Sequence, residues 1–154
     1  MSKMTSIEPS PNEPDAANTN AAITLVTSGI HNAEEPRHYM RLKDVDGRVD
    51  VWVGARRLAR SDAVIVCLEV GRDLYDPVYY IPRSDLTETL TTSARQTFCP
   101  IKGNASYHHL EGDPDPIAWS YDDPIAPSAA LQDRVAFDAK RVTITLTPPA
   151  DMVA

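Results

Sequence analysis

The sequence predicts a mainly β domain. Three observations carry that reading: short segments that alternate apolar and polar residues, turn residues between nearly all of them, and no long amphipathic helical stretch. Residues 48–53 are the clearest case. Val49, Val51 and Val53 alternate with Arg48, Asp50 and Trp52, so a strand here has one apolar face. Asp46-Gly47 just before it suits a tight turn. Residues 63–70 form a run rich in β-branched side chains, as expected of a central strand buried on both faces. Residues 78–81 read as a strand stopped by Pro82, which has no N–H to donate. Ser84 is then placed to cap one short helix through about Leu90, with Asp85 where the helix dipole favours negative charge. Residues 97–99, 104–110, 117–121, 134–138 and 142–146 read as further strands, and residues 138–141 as the close of a final hairpin.

The chain of 154 residues suits one domain with a sizeable core. Its 42% hydrophobic and 24% charged residues are globular values, so most of it is expected to fold. The expected division is a disordered or loosely attached extension over 1–38, a single β-rich domain over 39–147 and a C-terminal tail over 148–154. The first twenty residues are Ser, Pro, Asn, Ala and acidic residues that bury too little to offset their ordering entropy. A short apolar run over 23–26, ending near Gly29, is open between a stray strand and a docking element.

A net charge of −7 offers no basic footprint for nucleic acid or an anionic membrane, and neither is expected as a partner. No stretch approaches the ~20 apolar residues of a membrane span, and the N-terminus lacks a signal-peptide pattern, so a cytoplasmic protein is expected. Cys67 and Cys99 are then expected as reduced thiols. No glycine-rich phosphate loop or Cys-x-x-Cys pair occurs, and neither metal nor cofactor is implied.

Several blocks together resemble a family. They are Val49-Asp50-Val51-Trp52-Val53-Gly54, Leu58-Ala59-Arg60-Ser61, Leu68-Glu69, Tyr79-Tyr80-Ile81-Pro82-Arg83-Ser84-Asp85, Cys99-Pro100-Ile101-Lys102-Gly103, Ala105-Ser106-Tyr107, Ala118-Trp119-Ser120-Tyr121 and Val135-Ala136-Phe137. In this order they resemble the bacterial family known as domain of unknown function 427, over roughly residues 45–146. The resemblance implies a compact two-sheet domain, β-tent-like or barrel-like, with one or two short helices. The family also carries a nucleotidyltransferase-like label, but the glycine-rich loop and paired carboxylates of that chemistry are not in this sequence. His108 departs from the family pattern, standing after Tyr107 where relatives carry Trp.

Glu69 is the most informative single residue. Alternation puts it on the face of Ile65 and Cys67, where an unpaired carboxylate is costly and its pKa would rise to suit acid–base work. An exposed strand end or an Arg partner would explain it equally well. Cys99 and Lys102 flank a turn that can bring ammonium to sulfur and make a nucleophile, while inert packing of Cys99 and a solvated Lys102 are the plainer readings. Tyr80, Tyr107, Trp119 and Tyr121 are large aromatics with polar tips that can line a ligand cavity or fill the core. Arg83 is expected to fork onto Glu69 or Asp85, and His108 to join the ligand-binding set.

Two functional readings follow. In the first, Glu69, Cys99 and Lys102 are catalytic or polar groups of a pocket whose ligand-binding residues are Tyr80, Arg83, Tyr107, His108 and Trp119, in a small-molecule-binding domain or small enzyme. In the second, the same motifs stabilise a non-catalytic interaction or scaffold module. Neither substrate, reaction nor oligomeric state is legible.

Overall fold

The computed structural model describes residues 28–152 and shows two antiparallel sheets. The strands are β1 (Ile30–Asn32), β2 (Glu35–Asp44), β3 (Arg48–Val53), β4 (Arg56–Ser61), β5 (Ile65–Val70), β6 (Val78–Pro82), β7 (Thr91–Cys99), β8 (Gly103–His109), β9 (Ala118–Ser120), β10 (Arg134–Phe137) and β11 (Thr143–Thr147). Eight of them form a large open sheet in the order β1-β2-β5-β6-β10-β9-β8-β7, and a small sheet runs β11-β3-β4. The domain is therefore two sheets rather than a closed barrel.

Alternation along each strand divides the large sheet into two faces. On β10, Val135 and Phe137 point toward the small sheet and join Val49, Val51, Leu58, Ala59 and Ile81 in the core between the sheets. Ala136, between them, points to the opposite face with Met40, Cys67, Tyr80, Ile101, Tyr121 and Leu131. Into that second face pack Ile101, from the turn between β7 and β8, and Leu131, from the segment before β10.

Several expectations change. β5 is an interior strand, but only Ile65 and Cys67 are deeply buried; Leu68, paired with Arg41 of β2, is 41% exposed, so the strand is not buried on both faces. The helix expected from Ser84 is a single 3-10 turn, Arg83–Asp85, and Ser84 does not cap it. Its reason is local and tertiary together. Leu86 is extended and bridges Ala59, the Thr87 N–H goes to the Leu58 carbonyl, and Asp85 accepts from the Ser61 hydroxyl, so β4 captures the groups a helix would have used. Two further 3-10 turns, Ala126–Leu131 and Ala150–Met152, follow later in the chain.

The expected final hairpin is also absent. Residues 138–141 do turn, the Arg141 N–H meeting the Asp138 carbonyl at 2.9 Å, but β10 stays in the large sheet and β11 pairs with β3 of the small one. The turn at Asp46-Gly47 likewise passes the chain from β2 to β3, between sheets. Gly47 has φ of +135°, and a Cβ there would stand 2.6 Å from the Thr147 carbonyl, so only glycine fits. β1, β2, β4 and residues 91–96 of β7 are strand segments the sequence pattern left unread. The apolar run over 23–26 lies outside the described residues. No helix among the described residues is long and apolar enough to cross a membrane.

Candidate functional site

The covered face of the large sheet carries a cleft of about 320 Å³. Register explains its near wall. β2 and β5 pair with Met40 opposite Glu69 and Leu42 opposite Cys67, so His38, Met40 and Leu42 share a face with Ile65, Cys67 and Glu69. His38, two residues before Met40, reaches diagonally across to Glu69, Nε2 to Oε2 at 2.7 Å. Tyr80 of β6, Tyr107 of β8, Trp119 of β9 and Tyr121 supply aromatic walls, and Tyr75 and Asp76 close one side. The indole N–H of Trp119 approaches the Tyr80 hydroxyl at 3.4 Å.

Lys102 forms the far wall. It sits in the turn from β7 to β8, where its N–H returns to the Cys99 carbonyl at 3.2 Å and its carbonyl accepts from the Ile125 N–H at 3.0 Å. Gly103 follows at φ +117°, packed against residues 123–125. β8 stands four places from β5 in the sheet, about 19 Å away were the sheet flat at ~4.8 Å per strand. Yet Lys102 Nζ lies 2.6 Å from Glu69 Oε1, which requires the large sheet to curl its β8 end back toward β5.

Lys102 is 5% exposed, and its ammonium also meets Cys99 Sγ at 3.8 Å and lies 5.9 Å from the centre of the Tyr121 ring. Burial alone would lower its pKa, but the Glu69 carboxylate outweighs burial and raises it. Burial would raise Glu69, but the hydrogen bonds and charges of Lys102 and His38 prevail and hold it below the ordinary carboxylate range. The expected upward shift of Glu69 is thus reversed, because the carboxylate is paired, and its partner is Lys102 with His38 rather than an arginine. Lys102 is correspondingly not a solvated turn lysine. Burial pushes the Cys67 thiol, which lines the cleft, up to about 11.

Of the residues singled out from sequence, Glu69, Lys102, Tyr80, Tyr107, Trp119 and Tyr121 share this cleft. Cys99 touches Lys102 from behind without being part of the lining. Arg83 and His108 lie elsewhere. Tyr107 and His108 are successive strand residues, so they face opposite ways. His108 is 1% exposed on the small-sheet side, its Nε2 at 2.7 Å from Ser120 Oγ and its Nδ1 at 3.0 Å from Thr92 Oγ1. Arg83 donates to Asp122 at 3.0 Å and to Ser120 at 3.2 Å, not to Glu69 or Asp85, because its 3-10 turn sits over that same side. His38, Cys67, Tyr75 and Asp76 were not singled out for this site. For His38 a faint signal existed, since His38, Met40 and Leu42 alternate, but β2 is otherwise too polar to announce a strand.

A family model described as a domain of unknown function, DUF427, matches residues 41–147. No curated protein matches the chain.

Proposed function

The chain belongs to the DUF427 family, and from that premise we propose that it binds a small molecule in the cleft that Glu69 and Lys102 anchor. One observation carries the reading: a buried ammonium–carboxylate pair at 2.6 Å stands in a cleft of about 320 Å³ whose remaining walls are largely aromatic. A small site with apolar walls and few fixed polar groups is the usual form of a ligand pocket. The rings suit a planar or apolar body, and the pair gives one end of it a donor and an acceptor.

The chemistry favours binding over catalysis by Glu69 or by Cys67. Lys102 is held protonated and Glu69 ionised across the neutral range, so neither exchanges protons readily there. A thiol near pKa 11 supplies little thiolate. We propose a cytoplasmic protein without a nucleic-acid partner, the latter supported by the net charge of −7. The test of the binding reading is a thermal-shift screen of metabolites and nucleotides on the intact chain, repeated with Trp119→Leu. Compounds that raise Tm in the wild type but not in the variant support it; a library without any such compound overturns it.

A non-catalytic interaction module is favoured by a different observation. β7 is an edge strand of nine residues, largely exposed, with Phe98 68% accessible. Under that reading, Phe98→Asp would abolish association with a partner while leaving every thermal-shift response intact.

A further inference from the structure

A second, larger cleft adjoins the first. It measures about 890 Å³ and is lined by Asn32, Glu35, Arg37, His38, Arg72 and Tyr75, with Gly71 at its edge. The two clefts meet at Tyr75, which lines both, and at the hydrogen bond between His38 of the larger and Glu69 of the smaller. We infer that the larger cleft is a site for a small oxyanion, a carboxylate or a phosphate ester, in which Arg72 holds the negative charge and His38 exchanges a proton with the ligand.

The imidazole is arranged for that task. Its Nε2 faces Glu69 Oε2 at 2.7 Å, and since a carboxylate can only accept, Nε2 carries the hydrogen of the neutral ring. The lone pair is left on Nδ1, whose neighbour is the Asn32 amide at 3.5 Å, a long contact that a ligand group can replace. Glu69 cannot turn away, because its other oxygen is fixed by buried Lys102 at 2.6 Å. Glu69 is thus a positioning residue: it sets the tautomer and the ring plane, and would steady the imidazolium once formed. The His38 side chain is 19% exposed, open enough to be reached and covered enough to be held.

The described residues lining the larger cleft carry two guanidinium groups and one carboxylate in a chain of net charge −7, and Asp76 lines the smaller cleft beside Tyr75. On the strand of His38, Glu35 and Arg37 neutralise each other through two hydrogen bonds at 2.9 and 2.7 Å. From β5 and the turn before β8, Glu69 and Lys102 do the same at 2.6 Å. Arg72, in the loop after β5, forms no hydrogen bond or ion pair among the described residues, and is the cation left for a ligand. In the proton step, a hydroxyl that the ligand carries beside its anionic group gives its proton to Nδ1, the oxygen keeps the bonding pair, and the Nε2–H stays hydrogen-bonded to Glu69. The proton returns when the ligand leaves, so no other reactant is consumed.

Site-resolved acylation of the intact chain by diethyl pyrocarbonate tests this, since the reagent reads the free lone pair of a neutral imidazole. Inorganic phosphate and succinate serve as the two oxyanion probes. Expected is a slowing of His38 acylation by about threefold at twice the Kd of phosphate, succinate or both, and the probe that protects names the phosphate or carboxylate class. Arg72 is exposed, so Arg72→Ala should fold normally, keep the unprotected rate and lose the protection. Glu69→Gln, whose single oxygen would turn to Lys102, should move the His38 hydrogen from Nε2 to Nδ1, read from the imidazole nitrogen shifts. Protection by neither anion, or protection undiminished in Arg72→Ala, would overturn the inference, as would an unchanged His38 tautomer in a folded Glu69→Gln. None of these readouts depends on Trp119 or on occupancy of the aromatic cleft, so either site can fail while the other stands.

Discussion

Two polar clusters occupy opposite faces of the same large sheet. On the covered face, Glu69, Lys102 and His38 join three separate parts of the chain and border open clefts. On the face toward the small sheet, His108, Ser120, Arg83 and Asp122 form a comparable network, Ser120 donating to Asp122 at 2.7 Å. His108 and Ser120 are each 1% exposed and line neither cleft. Both clusters bury polar groups, and both shift the titration of a member. Only the first lines the two clefts. Burial and a perturbed pKa therefore describe structure as readily as function, and adjoining volume separates the two.

The sharpest way to break that contrast is Lys102→Met. It leaves Glu69 buried with His38 as its remaining hydrogen-bond partner, and stability should fall by about 3 kcal/mol in urea unfolding, with ligand-induced thermal shifts lost. Glu69→Leu combined with Lys102→Met should recover most of that stability and none of the binding. His108→Ala, in the second cluster, should cost about 2 kcal/mol because Ser120 and Thr92 lose a buried partner, while every thermal-shift response persists. A loss of binding there would dissolve the distinction between the faces.

Acid should report the two clusters in sequence. Burial, with the charge of Arg83, holds His108 below its ordinary 6.5. Its contribution is whole above that pH and is lost as pH falls below it. Glu69 is held below its ordinary 4.5, so its contribution survives until pH drops beneath that value; Lys102, held above 10.5, loses its own only as pH rises beyond it. Urea midpoints should thus fall first as pH drops below 6.5 and while it is still above 4.5 in the wild type, and this early step should vanish in His108→Gln. The smallest effect belongs to Cys99→Ser, half-buried behind Lys102: a change of about 1 kcal/mol or less, with binding retained.

Much of the fold was legible before any coordinates. β3 was read to the residue because three valines alternate with polar partners, and β6, β8, β10 and β11 were placed within a residue at each end. β4 escaped because Arg56, Arg57 and Arg60 mask the buried pair Leu58 and Ala59. The short helix failed because β4 took the backbone and side-chain groups it needed. Within the site, the closeness of Cys99 and Lys102 was local and readable. The side of Arg83 and His108 was not, since it depends on which face of the sheet each strand turns outward.

By itself, then, the sequence determined the strand class, most of the strands, and the chemistry offered at Glu69, Lys102 and the aromatic positions. Local alternation and turn residues suffice for that, because each acts within a few neighbours. Only the tertiary structure decided that His38 and Lys102, 31 and 33 residues from Glu69, bind its two oxygens. That meeting depends on strand order and on the curl accumulated across five adjacent strands, and no local pattern encodes either.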